Sequence, residues 1–385
     1  MSAMEEYGLG SYTMVKPRNS KMQSTPISGL KSIRLLQGPC TLVVKTTQNK
    51  GSTSLAEFIV RIFQIMDYIP FEKPIAELEI QIEELRRMAT TQAINLDREV
   101  EELEQQANQL REHMFANLSP YEMVQLSRHP RRPNTLELIG SFCSDFIELH
   151  GDRNFFDDAA IVGGLAKIKD HSIVIIGHQK GKGTKENIER NFGMPKPEGY
   201  RKALRLMSLA ERFKLPIVTL IDTPGAYPGV GAEERGQSEA IGKNILVMSR
   251  LKIPITCIII GEGGSGGALA LGVGNKIHML KYSTYSVISP EGCASILMKD
   301  ATKASLAANS LNLTSEAALK YNIIDSIIEE PLGGAHRSPD LTANALQKTI
   351  LQDLEEFKTY SANELKEKRM QKFLSLGIFE EHINE

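Results

Sequence analysis

The segment Pro254 to Val273, with the sequence PITCIIIGEGGSGGALALGV, decides the fold of this 385-residue chain. Its apolar, β-branched start predicts a buried strand, and its Ala/Leu-rich end predicts a helix. The glycines between them indicate a turn whose backbone needs conformations or close approaches that a Cβ atom would forbid. Because free amides at the first turn of a helix attract negative charge, we expect an oxyanion or a phosphate to bind here.

A second copy of the same pattern precedes this segment. Residues Pro216–Asp222 predict a buried strand, Thr223–Gly231 a glycine-containing loop, and Ala232–Ser249 a helix. Loops that follow neighbouring strands of an α/β sheet meet at one edge of that sheet. The two loops are therefore expected to form a single site.

Composition excludes several classes of protein. A net charge of −2 favours neither a nucleic acid nor an anionic membrane as a partner. Four scattered cysteines, Cys40, Cys143, Cys257 and Cys293, argue against a disulfide framework or a zinc ribbon, so no metal site is predicted. No apolar run approaches the roughly 18 residues of a membrane helix. We expect a cytoplasmic chain with reduced thiols.

Four regions are predicted along the chain. Residues 1–65 lack a pattern that would bury a core, and three interpretations stay open: a targeting segment, an extension from an upstream start codon, or an accessory region. Residues 66–133 carry apolar residues at spacings of three and four, which predict a helical hairpin followed by a linker. Residues 134–345 mix strands and helices, and residues 346–385 form C-terminal helices.

Within residues 134–345, the predicted order is two strands followed by a helix. Ile161–Gly177 reads as a β-hairpin, and a helix begins at Pro197. Repetition of this unit suggests a ββα spiral. A final strand is predicted over Ile323–Ile328.

Two chemical interpretations compete with an oxyanion site. Gly177–Gly183 follows a strand as a phosphate loop would, but it is one residue short and Gly183 stands where Ser or Thr is needed. Gly263–Gly267 satisfies the Gly-x-Ser-x-Gly pattern of serine hydrolases, with Asp325 and His336 following in the required order. A glycine-rich loop meets that pattern by chance, and Ser265 is otherwise a small turn residue.

Enolate chemistry at a thioester or ureido carbonyl explains both glycine loops without a side-chain nucleophile, because paired backbone amides can hold the developing oxyanion. Six segments carry long motifs: Asn191–Pro195, Glu198–Arg205, Asp222–Gln237, Gly261–Ala270, Ser283–Leu297 and Glu330–Arg337. Together they resemble the carboxyltransferase alpha subunit of bacterial-type, multi-subunit acetyl-CoA carboxylase. The resemblance covers about Met66 to the C-terminus.

The resemblance implies an α/β fold, namely a crotonase-like ββα spiral domain preceded by a helical hairpin. It implies a transferase that moves a carboxyl group from carboxybiotin on the biotin carboxyl carrier protein to acetyl-CoA, giving malonyl-CoA for fatty acid biosynthesis. The implied partners are a beta subunit in an alpha2beta2 heterotetramer, the carrier protein and an ATP-dependent biotin carboxylase. No cofactor is then bound covalently in this chain, and zinc is expected only in the beta subunit.

The resemblance also implies roles for individual residues. The amides of Gly266 and Gly267 would form the oxyanion hole for the ureido oxygen of biotin. Substrate contacts are expected from Gly225, Ala226, Tyr227, Gly229, Val230, Gly263, Gly264 and Ser265. Lys180 and Lys182 are candidates for contacts with CoA phosphates, or else belong to a solvated loop. The main alternative is a stand-alone crotonase-type hydratase or isomerase, for which Glu262 is the candidate acid or base.

Overall fold

The computed structural model describes residues 68–92 and 94–377. The predicted extension 1–65 and Cys40 lie outside the described residues. No helix within the described ranges is long and apolar enough to cross a bilayer.

A helical hairpin opens the described chain. After a 3-10 turn at Pro70–Glu72, helix α1 spans Lys73–Gln92 and helix α2 spans Asp97–Ala116. Its buried residues Ile75 and Phe115 pack with Leu126 and Tyr282. The Phe115 and Tyr282 rings meet edge to face at 5.6 Å between centroids, so an aromatic contact joins the hairpin to the following domain.

Strands of the described residues form a mixed eight-stranded sheet. They are β1 Ser144–Glu148, β2 Ile161–Ile168, β3 His171–His178, β4 Ile217–Thr223, β5 Ile255–Gly264, β6 Lys276–Leu280, β7 Thr284–Ser286 and β8 Ser326–Ile328. The order is β1-β2-β3-β4-β5-β6-β8, with β7 paired to the far end of β5. Strands β1 to β3 are antiparallel, and the pairs from β3 onward are parallel.

The remaining helices cover the sheet. They are α3 Pro120–Ser127, α4 Thr135–Phe142, α5 Gly183–Glu189, α6 Pro197–Phe213, α7 Val230–Glu234, α8 Gln237–Arg250, α9 Ser265–Leu269, α10 Pro290–Met298, α11 Ala304–Leu311, α12 Ser315–Lys320, α13 Pro339–Phe357 and α14 Ala362–Leu374. Two short 3-10 turns lie at Asn191–Gly193 and Ala301–Lys303.

Helices pack on both faces of the parallel strands. Alternate residues of β4 and β5 enter two different cores, with Ile221 in the core under α6 and α8, and Leu220 in the core under α4 and α13. This period of two explains why both strands read as continuous apolar runs, since neither face meets water. The α/β architecture, with a helical hairpin ahead of it, confirms the predicted fold class.

Three predicted boundaries differ from the structure. The predicted helix Ala232–Ser249 is two helices, α7 and α8, because Gly236 between them adopts φ 80°. Helix α13 begins at Pro339 and so crosses the boundary predicted at residue 345. The final strand is shorter than Ile323–Ile328, because the Ile323 amide donates to the Ala318 carbonyl at 2.9 Å and helps to end α12.

Candidate active site

Strand β5 slips against β4 just before the glycine turn. Ile221 is paired with Ile259, but Thr223 is paired with Gly263. An advance of four residues along β5 therefore corresponds to an advance of two residues along β4. The extra residues form a bulge, which bends a strand and redirects its end. On its other side, from Glu262 at the bulge to Gly264, β5 pairs with β7.

The two glycine loops touch through their backbones. A Cβ atom at Gly264 would lie 2.2 Å from the Pro224 carbonyl oxygen, and one at Gly267 would lie 2.7 Å from the Gly225 carbonyl carbon. Such distances are too short for any side chain, so close approach explains both glycines. At Gly266 the same atom would meet only Ile241, at 3.7 Å, an ordinary contact. The predicted convergence of the loops is thus observed.

The rest of the Thr223–Gly231 loop contacts another segment. The Tyr227 amide donates to the Pro195 carbonyl at 3.0 Å, and the Lys196 ammonium lies 5.3 Å from the centre of the Tyr227 ring. A Cβ atom at Gly229 would lie 2.3 Å from Tyr227 Cε1, so a larger residue there would displace the ring. Val230 is 75% exposed. Gly225 and Ala226 therefore meet the glycine turn, whereas Tyr227, Gly229 and Val230 continue along the Pro195–Lys196 side.

The serine hydrolase hypothesis is wrong. Ser265 is exposed, with φ 50°, at the strand-to-helix turn, but its proposed partners are engaged elsewhere. Asp325 accepts from the Ile277 amide at 2.7 Å and pairs with Lys372. His336 stacks on His129, with ring centroids 3.8 Å apart. Since Asp325 and His336 do not pair, no triad forms.

His336 belongs to a buried cluster with His129 and Glu72. The Nε2 atoms of the two histidines lie 3.4 and 3.5 Å from the Glu72 oxygens. His129 Nδ1 accepts from the Arg131 amide at 3.1 Å, which leaves the proton of a neutral ring on Nε2. A metal bound at His129 Nε2 would need the opposite tautomer, with Nδ1 as a donor. This donor set does not fit a metal.

The described cysteines do not form a reactive site. Cys143, Cys257 and Cys293 are free thiols. Burial raises the pKa of Cys257 to about 11 and that of Cys143 to about 12. Both thiols are therefore protonated and unreactive at neutral pH.

A network of ionised side chains lies beside the bulge. Lys180 Nζ is 2.7 Å from Asp222 Oδ1 and 2.7 Å from Glu262 Oε2. Arg128 Nε is 2.5 Å from Glu262 Oε1, and its Nη1 is 2.8 Å from Glu291. Because two buried carboxylates pair with Lys180, the solvated-loop interpretation is wrong for it, and a CoA phosphate contact stays a prediction. Lys182 pairs with Glu137 at 3.0 Å near the surface.

The charge state of Glu262 bears on the hydratase alternative. Burial by itself would raise the pKa of Glu262, but the nearby charges of Lys180 and Arg128 outweigh it and lower the pKa to about 2. A carboxylate held in this way is a very weak base and is not available as an acid near neutrality. Glu262 is therefore unsuited to the proton transfers of a hydratase or isomerase.

Arg132 is a residue that the sequence interpretation missed. It lies in the segment predicted as a linker, yet it is 6% exposed and its Nε donates to the Ile260 carbonyl at 2.6 Å, at the start of the bulge. Its two Nη atoms bind Glu330. The signal in the sequence was Glu330, a carboxylate just after a buried apolar run, because a buried carboxylate needs a cation as its partner.

A small open cleft lies beside the start of the turn. Its lining comes from five segments: Val124 and Arg128, Pro224, Glu262–Gly264, Thr284 with Ser286 and Ile288–Pro290, and Leu313. The lining ends at Gly264 and does not include Gly266 or Gly267.

Comparison with known proteins shows which family the chain belongs to. Residues 68–377 match the family described as acetyl co-enzyme A carboxylase carboxyltransferase-like. Proteins named acetyl-coenzyme A carboxylase carboxyl transferase subunit alpha are similar along almost their whole length. The one from Methylococcus capsulatus is 55% identical over 82% of this chain and 98% of its own, and the one from Histophilus somni is 58% identical over 81% and 98%. The transcarboxylase 12S structure with hydrolysed methylmalonyl-coenzyme A gives a TM-score of 0.49 at 18% identity, covering 63% of this chain and 46% of that one.

Sequence similarity places the chain among the carboxyltransferases, a class of transferase. The chain belongs to the acetyl co-enzyme A carboxylase carboxyltransferase-like family, and its relatives carry the name of the alpha subunit. These names agree with the main prediction and not with a stand-alone hydratase or a hydrolase.

Proposed function

We propose that the chain acts in the carboxyltransferase half-reaction of a multi-subunit acetyl-CoA carboxylase, moving a carboxyl group from carboxybiotin to acetyl-CoA to form malonyl-CoA. The observation that carries this proposal is the backbone contact between Gly267 and the Gly225–Ala226 peptide, in a chain of this family. The contact fixes the turn that presents the Gly266 and Gly267 amides. A fixed pair of amides suits an oxyanion better than a flexible side chain does.

The chain's own contribution is electrostatic. Carboxybiotin supplies the carboxyl group, and its freed ureido nitrogen is the acceptor for the methyl proton of acetyl-CoA. The Gly266 and Gly267 amides would donate to the ureido oxygen, where negative charge collects as the carboxyl group departs. Each donor of this kind stabilises a transition state by about 2.7–4 kcal/mol. No general base is then required from this chain, in keeping with the low pKa of Glu262.

The other parts of the reaction would belong to other chains. A beta subunit with a zinc ribbon would hold the acetyl-CoA oxyanion and complete an alpha2beta2 heterotetramer, and the carrier protein and biotin carboxylase would supply carboxybiotin. We place this activity in cytoplasmic fatty acid biosynthesis.

Reconstitution tests the proposal. Three samples are incubated with carboxybiotin and acetyl-CoA: the purified chain, the beta subunit of a related multi-subunit acetyl-CoA carboxylase, and the two together. Malonyl-CoA is then measured. Product is expected only from the pair. Malonyl-CoA made by this chain alone would contradict the division of the site, and an assembled but inactive pair would contradict the function.

A further inference from the structure

We propose that Lys180 is a positioning residue, which holds the ends of β4 and β5 in the register that presents the Gly266 and Gly267 amides. The predicted effect of Lys180 on catalysis rests on the proposed function. The structural part, that Lys180 fixes the glycine turn, stands on contacts alone.

The bulge of β5 releases backbone groups from the sheet, and side chains take their place. The Glu262 amide donates to Asp222 Oδ1 at 2.9 Å, and the Ile260 carbonyl accepts from Arg132 Nε at 2.6 Å. A buried backbone group without a partner would cost free energy, so these two contacts make the bulge tolerable. Asp222 therefore serves both the backbone of β5 and Lys180.

Lys180 bridges the two strands at this point. Its Nζ lies 2.7 Å from Asp222, next to last in β4, and 2.7 Å from Glu262, at the bulge of β5. The backbone makes room for the bridge. A Cβ atom at Gly193, where φ is 76°, would lie 2.6 Å from Lys180 Cγ, and one at Gly261 would lie 2.4 Å from Asp222 Oδ1.

The charge balance shows what loss of Lys180 would do. Asp222 and Glu262 are only about a tenth exposed, and each lies within bonding distance of the same ammonium. Without it, two poorly solvated carboxylates would face each other, with Arg128 already shared between Glu262 and Glu291. Their repulsion would separate the ends of β4 and β5. The turn Gly264–Gly267 would then shift relative to Pro224–Ala226.

The first experiment compares Lys180→Met with Lys276→Met in the assembled complex. Lys276 is a suitable control because it is a paired lysine at the opposite end of the parallel strands, but among the described residues it contacts a single carboxylate, Glu356 at 3.1 Å, and so bridges nothing. Since a shift of about 1 Å in a catalytic group can cost about 10²-fold, kcat of Lys180→Met should fall by about that factor with KM for acetyl-CoA nearly unchanged. Lys276→Met should behave as the unmodified complex. A rise in KM with constant kcat would overturn the proposal, because it would indicate a CoA contact.

A second measurement does not depend on activity. Hydrogen exchange of the amides in residues 259–268 should be at least about tenfold faster in Lys180→Met than in Lys276→Met, because the bulge loses its support. Equal exchange would overturn the positioning role. An inactive unmodified complex would instead refute the proposed function and leave the exchange result to decide on Lys180.

A third variant tests whether repulsion between the two carboxylates causes the loss, and Asp222→Asn covers the case in which Lys180→Met does not fold. In Lys180→Met/Glu262→Gln, the repelling pair is reduced to a single carboxylate. The combined loss in kcat should therefore be smaller than the product of the two single losses. Asp222→Asn, which keeps an acceptor for the Glu262 amide and for Lys180, should lose activity measurably, but by no more than about tenfold. Multiplicative losses in the double variant would contradict the bridge, and so would unchanged exchange and kcat in Asp222→Asn.

Discussion

Arg132 and Glu330 form a two-pronged ion pair inside the protein, with Nη1 and Nη2 of Arg132 2.9 and 2.7 Å from the two Glu330 oxygens. Glu330 also accepts from the Tyr282 amide at 2.9 Å and the Ala335 amide at 2.7 Å. One pair therefore connects the segment before α4, the bulge of β5 and the chain that follows β8. Its effect on the glycine turn is indirect, through the Ile260 carbonyl.

The first prediction concerns this pair. Arg132→Met should lower the free energy of unfolding by about 3–5 kcal/mol, because it leaves Glu330 as a buried charge without its cation. The neighbouring exposed Arg131, changed to Met, should cost less than about 1 kcal/mol. Denaturant titration of both variants measures the difference. Arg132→Met/Glu330→Gln should recover part of the loss, and a double variant no more stable than the single one would contradict this account.

The second prediction separates the two glycines of the proposed oxyanion hole. Gly267→Ala places a Cβ atom against the Gly225–Ala226 peptide and should lower the carboxyl-transfer rate by about 10²–10³, the cost of one lost donor. Gly266→Ala has room beside Ile241, so its loss should be under about tenfold. Rates are measured in the reconstituted complex, with thermal unfolding and assembly checked in parallel. Equal rates in two well-assembled variants would count against the backbone role.

The third prediction concerns Ser265. In the proposed mechanism only backbone amides of this turn bind the oxyanion, and the Ser265 hydroxyl has no role. The transfer rate of Ser265→Ala should therefore stay within about threefold of that of the unmodified complex. A fluorophosphonate should not label the unmodified chain, because the triad partners Asp325 and His336 are paired elsewhere. Covalent labelling of Ser265 together with loss of activity would revive the hydrolase hypothesis.

The fourth prediction is a pH dependence of stability. The pKa of Glu262 is lowered in the folded chain from 4.5 to about 2, so its ionised form stabilises the fold above pH 4.5 and this contribution disappears as the pH falls toward 2. At about 1.4 kcal/mol per pKa unit, the contribution is about 3 kcal/mol.

The measurement for this prediction is denaturant unfolding between pH 7 and pH 3, compared with Glu262→Gln. The variant should be less stable at pH 7 and should lose less stability on acidification. Parallel curves for the two proteins would show that Glu262 is not held as the structure indicates.

The sequence by itself determined the fold class and the two strand–glycine–helix units of the site. Short β-branched runs that end at glycines favour strands buried on both faces, and clustered glycines indicate close approaches of the backbone, so both signals are local. Its long motifs also identified the family, which the comparisons confirm. Helix ends were less well predicted, because the break at Gly236 depends on a single left-handed residue.

Only the tertiary structure decided which charged residues support the turn. Lys180 and Glu262 are 82 residues apart, and Arg132 and Glu330 are 198 apart, so no spacing rule connects either pair. The slip between β4 and β5 is likewise a property of two strands together, since neither strand alone specifies which residues it will face. Lysine in a loop and arginine between prolines have the same local pattern whether they face water or a buried carboxylate. The difference arises when folding brings distant carboxylates into a place where water cannot solvate them.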